Sequence, residues 1–193
     1  MENFLNQDTF RLIFSVSHRN VFFDSLIVFL ATWLPYALFV ALIWIFFTRI
    51  KELRHRLLFF TEISLAVLVS RGFLTETIRF FWPNPRPFLT LGLEPLFKEM
   101  SSSFPSSHAA VFFAIAMTLF YWNRRWGFWF FAFAGVNSIA RIAAGVHWPL
   151  DIIGGILVGI LGGIVIHALV GPYREAIDRH AHSGDSTSSV FSQ

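Results

Sequence analysis

Two histidines and an aspartate in this sequence have the spacing of a nucleophilic catalytic site. His147 and Asp151 are four residues apart, and Pro149 between them suits the first turn of a helix, which places Asp151 in that turn. Its carboxylate can accept the Nδ1 proton of His147 and leave Nε2 free to attack. His108 is a second imidazole, available as a general acid. Together they predict phosphoryl transfer through a phosphohistidine, although either histidine alone would more often be a polar rim residue of a membrane protein.

Three arginines close to these residues predict an anionic ligand: Arg79, Arg86 and Arg141. An isolated arginine inside a membrane costs about 2.5–3.5 kcal/mol on insertion scales, so three together need carboxylates or a bound anion. Few acidic residues lie nearby in the sequence, namely Glu76, Glu94, Glu99 and Asp151. Guanidinium groups suit phosphate oxygens, and Ser106 stands at the start of a predicted helix whose free N–H groups also favour phosphate. The pattern therefore favours a phosphate site over three separate membrane anchors.

The composition predicts that these residues are held by membrane helices. The 193 residues are 55% hydrophobic, 18% aromatic and only 14% charged, whereas soluble domains carry about 25% charged residues. This composition excludes an ordinary soluble protein and extensive disorder. There is no cysteine, which excludes disulfides and thiolate metal sites. The net charge of +3 is small and the basic residues form no continuous stripe, so we expect no nucleic-acid partner.

The hydrophobic pattern predicts an all-α fold, a polytopic bundle of about five transmembrane helices preceded by an amphipathic helix within residues 2–18. The predicted spans are Ser25–Thr48, Leu57–Trp82, Ser106–Trp122, Trp126–Ala144 and Pro149–Val170. Residues 1–175 are predicted to form a single domain, and 176–193 a polar, disordered cytoplasmic tail. The third and fourth spans are short, which predicts that their His108 and Arg141 ends lie in a pocket below the membrane surface.

The distribution of basic residues predicts the orientation in the membrane. Eight of them flank one set of span ends: Arg49, Lys51, Arg54, Arg56, Arg124, Arg125, Arg174 and Arg179. The positive-inside rule places these ends in the cytoplasm. The N-terminus, the 83–104 loop and the proposed pocket would then face the outside of the cell.

Two further patterns concern helix packing. Gly155, Gly159 and Gly163 recur every four residues on the fifth span, which predicts close packing inside the bundle, with a homodimer face as the alternative. The second span carries Glu62, Arg71 and Glu76. We expect these side chains to form buried structural pairs, and the alternative is a polar route for a lipid head group.

The same residues form a three-part pattern that resembles the type-2 phosphatidate phosphatase superfamily, which includes the vanadium haloperoxidases. The first part is Arg79 followed by Arg86-Pro87, and the second is Pro105-Ser106-Ser107-His108. The third part is Arg141, His147 and Asp151. The sequence departs from the family pattern at three positions, where Arg79 replaces Lys, Ser107 replaces Gly and Ala140 replaces Ser. All spacings within the three parts are intact.

The resemblance implies a role for each residue. Five would hold the phosphate: Arg79, Arg86, Ser106, Ser107 and Arg141. His147 would attack phosphorus, Asp151 would orient it, and His108 would protonate the leaving group. The resemblance to the phosphatases of this superfamily implies a metal-independent reaction, and no cofactor is expected here.

The small size and short loops resemble the bacterial undecaprenyl-diphosphate phosphatases of this superfamily, which act at the outer face of the cytoplasmic membrane. The implied partners are membrane lipid and an isoprenyl or glycerolipid phosphate substrate. Phosphatidylglycerophosphate, phosphatidate and lipid A remain alternative substrates. A transporter or flippase that binds lipid heads without hydrolysis is the alternative outside enzymology.

Overall fold

The computed structural model describes residues 4–188, and these form helices joined by loops. In chain order the helices are α1 Phe4–Phe14, α2 Val21–Thr48, α3 Leu53–Phe81, α4 Pro87–Leu91, α5 Ser107–Trp122, α6 Arg124–Ala143 and α7 Pro149–Ser188. Helices α2 and α3 contain π-helical stretches at Phe29–Trp33 and Leu68–Thr75. The predicted all-α membrane fold is confirmed.

Three of the helices are long and apolar enough to cross a membrane: α2, α3 and the Pro149–Glu175 part of α7. Helix α5 is apolar but has only 16 residues, about 24 Å at 1.5 Å per residue, and so is shorter than a hydrocarbon core of about 30 Å. Each of the five predicted spans corresponds to one of the helices α2, α3, α5, α6 and α7. That all five cross the membrane stays a prediction.

Helix α5 lies at the centre of the bundle, packed mainly between α6 and α7. Its buried alanines, including Ala109, Ala110 and Ala114, allow neighbouring backbones to approach closely. Larger residues such as Phe112 and Leu119 fill the space toward α2 and α3. The central helix therefore fixes the relative positions of the helices that carry the predicted site.

The glycine pattern of α7 faces α5 of the same chain. A Cβ atom on Gly155 would lie 2.5 Å from the carbonyl oxygen of Ser106, and one on Gly159 would lie 2.6 Å from that of Ala110. A Cβ on Gly163 would meet Met117 at 2.8 Å. The predicted packing inside the bundle is confirmed. A homodimer through these three glycines, the alternative, would have to displace α5.

Glu62 ties three helices together at the end of the bundle away from the predicted site. Its side chain is buried, accepts a hydrogen bond from Trp122 Nε1 at 2.7 Å and lies 2.7 Å from His167 Nδ1. The Tyr121 ring stacks on the His167 imidazole with centroids 3.6 Å apart. This network joins α3, α5 and α7, and it confirms the expected structural pairing of Glu62.

Helix α1 packs against the start of α7. Phe10 is fully buried, with its ring centroid 5.1 Å from Trp148 and 5.4 Å from Phe14. Asn6 Oδ1 accepts a hydrogen bond from Leu150 N at 3.1 Å. The predicted N-terminal helix is confirmed over Phe4–Phe14, and it helps to hold the loop that carries His147.

Helix α7 continues to Ser188 and so enters the segment 176–193, for which a polar, disordered cytoplasmic tail stays a prediction. Pro172 lies inside the helix, and the strong helix formers Arg174, Glu175 and Ala176 directly follow Tyr173. Extending an existing helix costs far less than nucleating one, so polar composition alone does not end it. Residues 189–193 lie outside the described range.

Substituting one glycine should distinguish close packing from plain helix propensity. We expect Gly159→Ala to lower stability by about 1–3 kcal/mol, because the new methyl group would collide with the α5 backbone. Gly135→Ala is the matched control, since a Cβ there meets nothing within 4 Å and alanine favours helix by up to about 1 kcal/mol. The measurement is thermal unfolding in detergent. Equal stability of the two variants would contradict the packing described for α7.

Candidate active site

One end of the bundle forms a cavity of about 590 Å³ at the meeting point of α2, α3, α5 and the loops before α5 and α7. Its polar lining comprises Thr32, Tyr36, Arg71, Arg79, Arg86, Glu99, Ser101, Ser107, His108 and His147. A neighbouring cavity of about 410 Å³ adds Arg141 and shares Glu99 and His108. The structure therefore brings the three parts of the sequence pattern to one place.

Asp151 is fixed by donors that converge on one of its oxygens. Oδ2 accepts hydrogen bonds from the backbone N of Trp148 at 2.7 Å and from the Ser103 hydroxyl, and it lies 3.4 Å from His147 Nδ1. The carboxylate is 1% exposed. It thus caps the start of α7 and favours the tautomer of His147 that carries its proton on Nδ1.

His147 lies in the short loop between α6 and α7. Gly145 enters this loop with a φ of 82°, a left-handed conformation that favours glycine, and Val146 and His147 are both buried. The Nε2 atom lies 3.5 Å from Arg86 Nη1. Burial, followed by the charges of Arg141 and Arg86, lowers the pKa of His147 well below 6.5. The imidazole is therefore neutral at physiological pH, with an Nε2 lone pair available.

Arg86 is held on all of its guanidinium nitrogens. Nε donates to the carbonyl oxygen of Ser101 at 2.8 Å, Nη1 donates to that of Val146 at 2.8 Å, and Nη2 donates to the Ser101 hydroxyl at 2.9 Å. Nη2 also lies 2.8 Å from a carboxylate oxygen of Glu99. A guanidinium fixed in this way loses little entropy when it binds an anion.

Glu99 places its carboxylate between two buried cations. One oxygen pairs with Arg86 and the other with Arg141, and both arginines are 1% exposed. Burial would raise the pKa of Glu99, but Arg141 and then Arg86 lower it to about 2. The carboxylate thus marks an anion position beside His147, and a phosphate bound there would take over the same guanidinium donors.

The other two arginines of the pattern have donors to spare. Arg79 donates from Nη2 to the carbonyl oxygen of Pro105 at 3.0 Å, and Arg141 donates weakly from Nη1 to that of Ala31 at 3.4 Å. The Nε atoms of both are buried and have no hydrogen-bond partner among the described residues. Such donors are costly unless an acceptor is nearby, so they suit a site that receives an anion.

The predicted site residues at the start of α5 differ in their burial and in whether they line the cavity. Ser107 and His108 line the cavity, whereas Ser106 is fully buried and does not. The Ser106 hydroxyl caps α5 by accepting from Ala109 N at 3.5 Å, and its backbone N donates to the carbonyl oxygen of Asp151 at 2.9 Å. Ser106 thus connects the start of α5 to the start of α7.

Sequence reasoning missed the parts played by Glu99, Ser101 and Ser103. In the sequence, Glu99 stands only as one of a few nearby acids, and no pattern distinguishes the two serines. The shortage of acids around three arginines was a usable signal for Glu99. The run Ser101-Ser102-Ser103 just before Pro105 offered only a weak one, because serine is common in loops.

Comparison with known proteins identifies the family. A family model described as the PAP2 superfamily matches residues 60–175, more than half of the chain and all three parts of the pattern. The chain belongs to the PAP2 superfamily. The resemblance drawn from its motifs is thereby confirmed.

The alignments of this PAP2 protein with its relatives cover most of its length. It is 29% identical over 164 residues to the bacitracin transport permease protein BcrC of Bacillus licheniformis, spanning 84% of this chain and 79% of that one. It is 29% identical over 177 residues to the undecaprenyl-diphosphatase BcrC of Bacillus subtilis, spanning 90% and 89%. The crystal structure of Aquifex aeolicus LpxE matches with a TM-score of 0.68 at 32% identity, covering 86% of this chain and 96% of LpxE.

Family, relatives and apolar helices together identify this PAP2 protein as a multi-pass membrane lipid phosphatase.

The low pKa of His147 gives a direct spectroscopic prediction. A lowered pKa means that the imidazole stays neutral as the pH falls through 6.5, the ordinary value. In histidine-labelled protein, nitrogen NMR should show the neutral Nδ1–H tautomer at pH 6.5, with a midpoint well below it. The spectrum of His147→Gln assigns the signal. A midpoint at or above 6.5 would contradict the described environment.

Removing the Glu99 carboxylate should tighten anion binding. Glu99→Gln leaves Arg86 and Arg141 without their shared anion, so inorganic phosphate should inhibit the variant at about tenfold lower concentration, a difference of about 1.4 kcal/mol. Glu94→Gln, in the same loop but exposed, is the control and should not change the inhibition constant. Weaker inhibition of Glu99→Gln would show that Glu99 supports the anion site and does not compete for it.

Proposed function

We propose that this phosphatase hydrolyses undecaprenyl diphosphate to undecaprenyl phosphate through a covalent phosphohistidine on His147. The observation that carries the proposal is the position of the His147 Nε2 atom, 3.5 Å from an Arg86 guanidinium that already holds an anionic group. A neutral nucleophile placed beside a built anion site is the arrangement that phosphoryl transfer needs.

In the first step, the terminal phosphoryl group takes the position of the Glu99 carboxylate between Arg86 and Arg141. The Nε2 lone pair of His147 attacks phosphorus, and the bond from phosphorus to the bridging oxygen breaks with its electron pair staying on that oxygen. His108, which lines both cavities, donates a proton to the departing lipid phosphate. Positive charge on the imidazole is balanced by Asp151.

In the second step, water hydrolyses the phosphohistidine. His108, now neutral, removes a proton from water as the oxygen attacks phosphorus and the bond from phosphorus to Nε2 breaks. The electron pair of that bond returns to Nε2 and restores neutral His147. Inorganic phosphate leaves, and Glu99 can pair again with Arg86 and Arg141. No step calls for a metal ion, so we expect activity in the presence of EDTA.

A lipid substrate is supported by an apolar groove that continues from the active-site cavity. The groove has a volume of about 650 Å³ and runs between α2 and α3. It shares Phe39, Val111 and Phe112 with the lining of the cavity. A substrate whose phosphate lies beside His147 can therefore extend an isoprenyl tail along the groove, as the name of the Bacillus subtilis relative suggests.

The active-site end is proposed to face the outside of the cell. Arg124 and Arg125 begin α6 at the opposite end of the bundle, and Arg174 lies near them with its guanidinium 4.7 Å from the Trp122 ring. The positive-inside rule assigns this basic end to the cytoplasm.

The substrate assignment is tested by phosphate release from purified protein in detergent with EDTA. Undecaprenyl diphosphate, phosphatidylglycerophosphate, phosphatidate and lipid A should be compared under identical conditions. We expect the highest kcat/KM for undecaprenyl diphosphate. Preference for a glycerolipid or lipid A would overturn the substrate and keep the reaction class. Lipid movement without phosphate release would favour the transporter alternative.

The nucleophile is tested by matched substitutions of two histidines. His147→Asn should lower kcat by at least about 1,000-fold, since asparagine has no imidazole nitrogen to attack phosphorus and His108 is assigned to the leaving group. His18→Asn is the control, because His18 is exposed and has a φ of 59°, which asparagine tolerates. Both variants should retain the wild-type circular dichroism spectrum. Turnover by His147→Asn near the wild-type rate would remove His147 as the nucleophile.

A further inference from the structure

Arg71 is a charged residue of the active-site cavity that the three-part motif leaves out. It lies in the π-helical stretch Leu68–Thr75 of α3, lines the cavity and is 36% exposed. Its Nη1 atom pairs with Oε1 of Glu76, and the same oxygen lies 3.6 Å from Arg79 Nη1. Arg71 and Arg79 therefore present their guanidinium groups to one small volume.

The position of Arg71 along α3 is between the apolar groove and the phosphate site. Leu68, three residues before it, lines the groove. Arg79, eight residues after it, lines the cavity with His108 and His147. A lipid phosphate that reaches from the groove to His147 passes Arg71 on the way.

The π-helical stretch explains how Arg71 comes to this position. In a regular α-helix, residues eight apart point about 80° away from each other. The wider turn between Leu68 and Thr75 changes this register, and the Thr75 hydroxyl stabilises it by donating to the carbonyl oxygen of Ser70 at 2.8 Å. Stretches of this kind often occur at functional sites.

We propose that Arg71 binds the phosphoryl group that remains on the lipid and so selects a diphosphate over a monophosphate. This inference rests on the proposed function. A diphosphate places its reacting phosphoryl group beside His147 and its second one on the side toward the tail, where Arg71 lies. A monophosphate must put its single phosphoryl group beside His147 to react, which leaves Arg71 to Glu76. Arg71 also stabilises the negative charge that develops on the departing lipid phosphate.

Glu76 can release Arg71 at low cost. The Glu76 side chain is 50% exposed, and ion pairs this exposed contribute little to stability. A diphosphate carries more charge than a carboxylate and can replace it as the partner of Arg71. Glu62 on the same helix differs, because its carboxylate is 2% exposed and held by Trp122 and His167.

The test compares farnesyl diphosphate with farnesyl monophosphate, which have the same tail. Arg71→Gln should lower kcat/KM for the diphosphate at least tenfold and leave that for the monophosphate within about twofold. Arg71→Lys, which keeps the charge, should recover part of the loss. Arg125→Gln, exposed at the opposite end of the bundle, is the control. It should not alter the ratio of kcat/KM for the diphosphate to kcat/KM for the monophosphate.

A double variant controls for the unpaired Glu76 carboxylate that Arg71→Gln leaves behind. Arg71→Gln with Glu76→Gln removes both charges of the pair and should show the same tenfold fall in the ratio. Methylenediphosphonate, a diphosphate analogue that cannot be hydrolysed, should lose inhibitory strength against both Arg71→Gln proteins, whereas inorganic phosphate should not.

The outcomes separate this inference from the proposed function. Hydrolysis of farnesyl diphosphate by the wild type, with an unchanged ratio in both variants, would overturn the role of Arg71 alone. An equal loss for both substrates would also overturn it, because Arg71 would then act on the reacting phosphate or on folding. Absence of diphosphate hydrolysis by the wild type would overturn the proposed function and this inference with it.

Discussion

Two buried guanidinium groups beside a buried imidazole impose the main constraint on this structure. Arg86 and Arg141 are 1% exposed, and a cation in that setting needs an anion close by. Glu99 supplies it from the loop before α5 by pairing with both. Burial, and then the same cations, lower the pKa of His147 and keep it neutral, so one arrangement provides both an anion site and a nucleophile. The proposed reaction replaces one anion by another in a site whose donors are already oriented.

The helix packing positions this site, because the site residues lie at or next to the ends of closely packed helices. The glycines of α7 bring its backbone against α5, and the backbone N of Ser106 donates to the carbonyl oxygen of Asp151 where the two helices begin. This contact fixes the positions of His108 and Asp151 relative to each other. The opposite end is joined by Glu62 through Trp122 and His167. Helices fixed at both ends give rigid anchors for the site residues at their ends and for the short loop that carries His147.

The sequence predicted the residues that carry charge better than the residues that support them. Arg79, Arg86, Arg141 and both histidines stood out, because charged groups in an apolar chain need a reason to be there. Glu99 and Ser103 lie in an irregular loop, where no periodicity indicates which side chains turn inward. Ser106 was expected among the phosphate ligands, yet its burial follows from capping and packing that only three dimensions show. The continuation of α7 to Ser188 has no clear signal in the sequence, because the apolar pattern of the span ends near Tyr173.

The most direct test of the account is to trap the covalent intermediate. Wild-type protein would be mixed rapidly with undecaprenyl diphosphate, denatured in alkali, in which phosphohistidine survives, and digested for mass spectrometry. We expect one phosphate on the peptide that contains His147, formed and lost at rates at least equal to turnover. Phosphate on His108, or steady turnover with no covalent adduct at any time, would contradict the role of His147 as the nucleophile.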